Sequence, residues 1–106
     1  MSQQPRAVQE NTDDTSPVEF VFKLYITGAT YHSTVAVKNI IRICEQYLKG
    51  RYTLDIVDVY QQPKLAKEEQ IIATPTLIKL QPNPTQRLIG DMSDSSKIIA
   101  VLRIPT

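Results

Sequence analysis

The sequence predicts one α/β domain, in which a parallel β-α-β unit is followed by a short helix and a β-β-α unit. Three observations carry that prediction. Phe20-Val21-Phe22-Lys23-Leu24-Tyr25-Ile26 is aromatic and β-branched, with apolar residues on both faces apart from Lys23, as in a central strand covered on both sides. A long segment with apolar residues three and four apart separates it from a second strand, Tyr52 to Val59, and gives the crossover that a right-handed parallel pair requires. Ala73-Thr74-Pro75-Thr76-Leu77-Ile78-Lys79-Leu80 reads as a sharp turn into a third strand. Pro75 fixes its own φ, biases Thr74 away from the helical region, and is tolerated at a strand's first residue.

Taken in order, residues 1–17 are polar, hold two prolines, and bury too little apolar surface to offset ordering. They are expected to form a disordered tail, with the domain proper running from 18 to 106. Gly28 ends the first strand. Thr30 offers an N-cap hydroxyl for a helix reaching Lys49, with Gly50 as its stop. Val37, Ile40, Ile41, Cys44, Tyr47 and Leu48 are the expected core face of that helix. Asp55 and Asp58 make the second strand half-polar, as on a sheet edge. Pro63 opens a short helix to about Gln70, with Leu65, Ala66 and Ile72 expected inward. Thr76 to Leu80 is the third strand, Gln81-Pro82-Asn83-Pro84 a turn, and Gln86 to Ile89 a fourth strand antiparallel to the third. Ser93 or Asp94 then caps a last helix carrying Ile98, Ile99, Val101 and Leu102, stopped by Pro105. The order β-α-β-α-β-β-α is the thioredoxin-like topology.

Composition bounds the function. A chain of 106 residues with net charge +1 gives no reason to expect nucleic acid. The first apolar run, Val18 to Ile26, is too short for a signal or a membrane span, so no membrane association and a cytoplasmic location are expected. The single cysteine, Cys44, excludes an intramolecular disulfide and cannot supply a metal cluster, and no cofactor is expected.

A redox thioredoxin needs a nucleophilic cysteine at the N-terminus of the first helix, where the dipole lowers its pKa. Here that position reads Gly28-Ala29-Thr30-Tyr31-His32-Ser33-Thr34. Cys44 falls three turns later at core spacing, as a small buried hydrophobe; a monothiol redox role would require it to be exposed. His32 has no carboxylate placed to orient it, and its readings are an ordinary surface histidine or a partner contact. No catalytic residue is expected, and the chain reads as a non-enzyme.

Lys23-Leu24-Tyr25-Ile26-Thr27-Gly28, Ile56-Val57-Asp58-Val59, Gln62-Pro63-Lys64-Leu65-Ala66, Ile72-Ala73-Thr74-Pro75-Thr76-Leu77 and Ile89-Gly90-Asp91 resemble the circadian clock protein KaiB family, collinearly from Phe20 to Ile104. The resemblance implies a protein that works by binding a KaiC-type ATPase ring. It also implies a metamorphic chain, able to exchange the thioredoxin-like order for β-α-β-β-α-α-β and to associate as anything from a monomer to a tetramer. Lys38, Glu68, Glu69 and Arg87 match charged family positions and are the expected partner contacts. Thr74 and Pro75 are the expected pivot between the constant and rearranging halves.

Departures from the family pattern mark a divergent paralogue. Val101 and Arg103 stand where Gly and Asp are usual. A helical reading of both favours the thioredoxin-like state by about 1–2 kcal/mol, through helix propensity and the macrodipole. Asp55 in place of a lysine and Gln86 in place of an arginine argue against binding KaiA. A separate reading of the same residues is a redox-inactive thioredoxin-like interaction domain serving another signalling pathway.

Overall fold

β1 (Phe20–Ile26) lies inside a four-stranded sheet, paired on both sides, as its two apolar faces require. A computed structural model describes residues 18–90 and 92–106; the expected tail, residues 1–17, and Asp91 lie outside the described residues. The remaining elements are α1 (Tyr31–Tyr47), β2 (Tyr52–Asp58), α2 (Pro63–Glu68), β3 (Thr76–Gln81), β4 (Gln86–Ile89) and α3 (Ser95–Leu102). The strand order is β2-β1-β3-β4. β1 and β2 run parallel from Phe20 opposite Tyr52 to Ile26 opposite Asp58. β3 runs antiparallel to both β1, with Leu24 opposite Leu77, and β4, with Leu77 opposite Leu88. The half-polar strand β2 takes an edge, where Asp55 stays in water.

The alternation of the strands divides the interior into two unequal parts. Phe20, Phe22, Leu24, Leu77 and Leu88 face α1 and α3 and pack with Ala36, Ile40, Ile43, Leu48, Ile98 and Leu102. Tyr25, Val57 and Ile78 face the other way, under Leu65 of α2 and Ile71. Two inward expectations are corrected. Ile41 is exposed, and the buried stripe of α1 is Ala36, Ile40, Ile43, Cys44 and Leu48, because Ile41 falls on the flank of the helix. Ile72 is 89% exposed, since Gln70 at φ +57° redirects the chain and Ile71 takes the inward place. Val101 lies on the exposed side of α3, one residue before the buried Leu102.

The helix ends are capped as residue chemistry dictates. The Ser33 N–H donates to Thr30 Oγ1 at 3.3 Å, and the Lys97 N–H donates to Asp94 Oδ1 at 3.2 Å. α1 ends at Tyr47 with Leu48 as its cap, two residues short of the expected Lys49, and Gly50 at φ +79° lies in the following turn. α3 closes with a Schellman pair: Arg103 N–H to Ala100 O at 3.3 Å and Ile104 N–H to Ile99 O at 3.0 Å. Arg103 is therefore not in a helical last turn but in the left-handed cap, at φ +56°. A non-glycine residue there costs about 1–2 kcal/mol, a cost that Asp relieves better than Arg. That cost offsets the dipole gain of roughly 0.3–1 kcal/mol, so Arg103 confers little net preference for the helical state.

Candidate functional site

Ser33, 2% exposed, sits in the first turn of α1, where a redox thioredoxin holds its attacking cysteine. Its Oγ accepts from the Thr27 N–H at 3.1 Å and from the Thr30 hydroxyl at 2.9 Å, and donates to the Thr27 carbonyl at 3.4 Å. Thr27 and Thr74 join their hydroxyls across the gap between β1 and the segment before β3. The Thr74–Pro75 peptide is cis, as are Gln81–Pro82 and Asn83–Pro84. The Thr76 hydroxyl closes the turn on the Ala73 carbonyl at 2.6 Å. Hydroxyls thus fill the ground between the helix N-terminus and the proline loop and satisfy one another. None is a thiolate, and none has a base beside it.

Cys44 is 1% exposed, and burial, with Glu45 adding to it, pushes its thiol up to about 12. A thiol so protonated and enclosed is a poor nucleophile, so the exposure required for monothiol chemistry is not met. Among the described residues no group of three or more His, Cys, Asp or Glu side chains assembles a metal site. None of their helices is long and apolar enough to cross a membrane.

The surface around the hydroxyls is apolar and open. Tyr31 is 77% and Tyr60 75% exposed, and with Ile72 they are large side chains left in water near the C-terminal end of β1. His32 is exposed beside Tyr31, its ring edge-on at 5.6 Å between centroids. A hollow of about 210 Å³ lies between Thr27, Val59, Ile71 and Thr74. A second, of about 340 Å³, is lined by Ile26, Ala29, Ser33, Val37 and Lys38. This end of the molecule can make contacts.

Of the charged positions, Lys38 is exposed on α1 and lines the larger hollow, whereas Glu68, Glu69 and Arg87 lie across the sheet on the α2 side. Glu69 and Arg87 come together. Arg87 Nη2 donates to the Glu69 carbonyl at 2.6 Å and lies 3.7 Å from its carboxylate, so the guanidinium caps the C-terminus of α2. Thr74 and Pro75 stand at the start of β3, while Arg103 is a neighbour of Lys79 toward that strand's other end. Sequence reasoning missed two buried polar side chains. Lys79 lies two residues from Leu77 and so shares its core-facing side of β3, 1% exposed. The Tyr25 hydroxyl is buried without a hydrogen-bond partner among the described residues. Burial and then Glu69 raise its pKa, Arg87 opposes them, and Asp55 adds a smaller upward push.

Fold and site together define a thioredoxin-like protein whose first helix begins with hydroxyls in place of thiols. The family is narrower: a model of the KaiB domain matches residues 23–104, and the chain belongs to the KaiB family of circadian clock proteins. It is 50% identical over 84 residues to the circadian clock protein KaiB3 of Synechocystis sp., covering 79% of this chain and 82% of that one. It is 45% identical over 80 residues to the circadian clock oscillator protein KaiB of Cyanothece sp., covering 76% of each. Among solved structures, the N-terminal domain of SasA from Synechococcus elongatus superposes with a TM-score of 0.66 at 21% identity, over 88% of this chain and 91% of that one. Chloroplastic thioredoxin z superposes with a TM-score of 0.69 at 16% identity, over 80% and 76%. At such identities the two structures speak for the fold.

Proposed function

We propose that this protein is a non-enzymatic clock component that binds a KaiC-type ATPase ring and modulates its phosphorylation or output signalling. The observation that carries the reading is the KaiB-domain match over residues 23–104, on a fold whose redox position holds Thr27, Thr30, Ser33 and Thr74 saturated by one another. Lys38 and Glu68, both exposed, are the contacts directly available to a partner. Glu69 and Arg87 are available only once their mutual contact opens. Asp55, exposed on the β2 edge, and Gln86, half-buried on β4, speak against KaiA as a second partner.

Pull-down against KaiC paralogues with and without ATP tests this reading. Retention of a ring ATPase, weakened in Lys38→Ala and Glu68→Ala, is the expected result. Failure to retain any ring ATPase removes it and leaves the second reading, an interaction domain of another signalling pathway, for which the exposed Tyr31, Tyr60 and Ile72 are the supporting observation.

The thioredoxin-like arrangement is proposed to dominate over the β-α-β-β-α-α-β alternative, with Val101 on α3 contributing helix propensity in place of glycine. Thr74 and Pro75 are the proposed pivot. Circular dichroism and native mass spectrometry decide it, and a stable tetramer with the alternative secondary structure is the outcome against it.

A further inference from the structure

The larger hollow is built by two segments that meet at the C-terminal end of β1. Ile26 closes the strand on the side that packs toward α1, and the chain then turns away through Gly28, at φ +52°, and Ala29. α1 supplies the facing wall. Ser33 and Val37 stand one turn apart, as do Thr34 and Lys38, so the two pairs form adjacent rows along the helix. The space enclosed is about 340 Å³, at the small end of the roughly 300–1,000 Å³ over which proteins hold small molecules.

The hydroxyls on these walls are already engaged. Ser33 Oγ is bonded to the Thr27 N–H, the Thr27 carbonyl and the Thr30 hydroxyl, and Thr34 Oγ1 donates to the Thr30 carbonyl at 3.0 Å. What remains is the apolar surface of Ile26, Ala29 and Val37, against which water finds few partners. The charged group on the lining is Lys38, an exposed ammonium with no ion pair or hydrogen bond among the described residues. Asp58, opposite Ile26 on β2, accepts from the Tyr60 N–H at 2.9 Å and does not line the hollow. The N-terminal end of the 17-residue α1, where its dipole is positive, borders the same ground. An apolar recess with one unpaired cation at its rim suits an anion with an apolar body. We propose that the hollow binds a small amphiphilic carboxylate, with a branched or aromatic body against Ile26, Ala29 and Val37 and the carboxylate on the Lys38 ammonium. The inference rests on the fold alone and stands whether or not a KaiC-type ATPase binds.

NMR titration of the full chain at pH 7 with phenylacetate, and separately with the neutral phenylacetamide, tests it. Phenylacetate is expected to shift the methyl signals of Ile26, Ala29 and Val37 saturably, with a Kd of about 1 mM, as befits a ligand of this size in a shallow site. Phenylacetamide keeps the body without the charge and is expected to bind more weakly at the same methyls. Lys38→Met, at an exposed position, is expected to weaken phenylacetate about three- to fivefold and to leave phenylacetamide unchanged. Ala29→Phe, also at an exposed position, fills the recess and is expected to abolish the shifts of Ile26 and Val37 with both compounds. Absence of saturable shifts up to about 20 mM overturns the proposal. So do shifts centred on Val59, Ile71 and Thr74 around the other hollow, equal affinity for the acid and the amide, or an equal effect of Lys38→Met on both.

Discussion

The two faces of the sheet are held very differently. Toward α1 and α3, fourteen buried residues form one cluster, α1 is 17 residues long, and Asp94 and Thr30 cap their helices through side chains. Toward α2, three buried residues make up the cluster, and the helix has six residues with no side-chain cap at Gln62. Its C-terminus is held by Arg87 from β4, and the Tyr25 hydroxyl on that face lacks a partner among the described residues. Apolar area is the main stabilising term, so the α1/α3 face sets global stability. The α2 face, poorer in burial and covered by a shorter helix, is where local opening costs least.

Substitutions separate the two faces. The largest effect is expected for Leu24→Ala, which empties a fully buried site in the larger cluster and costs about 3–5 kcal/mol in urea unfolding, a large part of the stability of a domain this size. Ile71→Ala, half-buried under α2, is expected to cost about 1–2 kcal/mol. A cost equal to that of Leu24→Ala would erase the contrast. Arg87→Gln removes the cap of α2 at an exposed position and is expected to cost only about 0.5–1 kcal/mol globally, while amides of 65–71 exchange faster and those of α1 do not. Tyr25→Phe deletes an unsatisfied hydroxyl and is expected to be neutral, or stabilising by up to about 1 kcal/mol; a destabilised variant would mean that the hydroxyl has a partner in solution. A further effect is confined to alkaline pH. Cys44 ionises from 9.0 in the unfolded chain but only at about 12 when folded, so its contribution is intact below 9 and is lost as pH rises through that window. Cys44→Ala is expected to show a shallower alkaline decline than wild type. Wild type should also react slowly with a thiol reagent at neutral pH.

Local pattern revealed most of the framework. The two apolar faces of Phe20–Ile26, the Thr30 and Asp94 caps, Pro63 at the first position of α2 and the Pro75 step each act through their own backbone or the next few residues, so a linear reading can find them. What escaped depends on neighbours distant in the chain. Ile41 and Ile43 are both compatible with an apolar helix, and the face that α1 turns toward the sheet decides which of them is covered. Ile71 and Ile72 are interchangeable in composition, and the left-handed turn at Gln70 exchanges them. Glu69 and Arg87, each marked as a charged contact, are 18 residues apart, and nothing local says that they meet. Lys79 resembles a solvated strand residue until its pairing with Phe22 on β1 and Gln86 on β4 sets it inside the sheet.

By its sequence alone this protein is an α/β chain with a central apolar strand, one cysteine remote from the first helix's N-terminus, and the residue runs of the KaiB family. Those properties are local or additive, carried by propensity, periodicity and the identity of a few side chains. The tertiary structure decided that the vacated redox position is filled by a closed set of hydroxyls, that two charged residues neutralise each other, and that a lysine is buried in the middle of the sheet. Each of these depends on distances between segments far apart in sequence, and the energy of a hydroxyl or a charge is set by what surrounds it once water has been excluded.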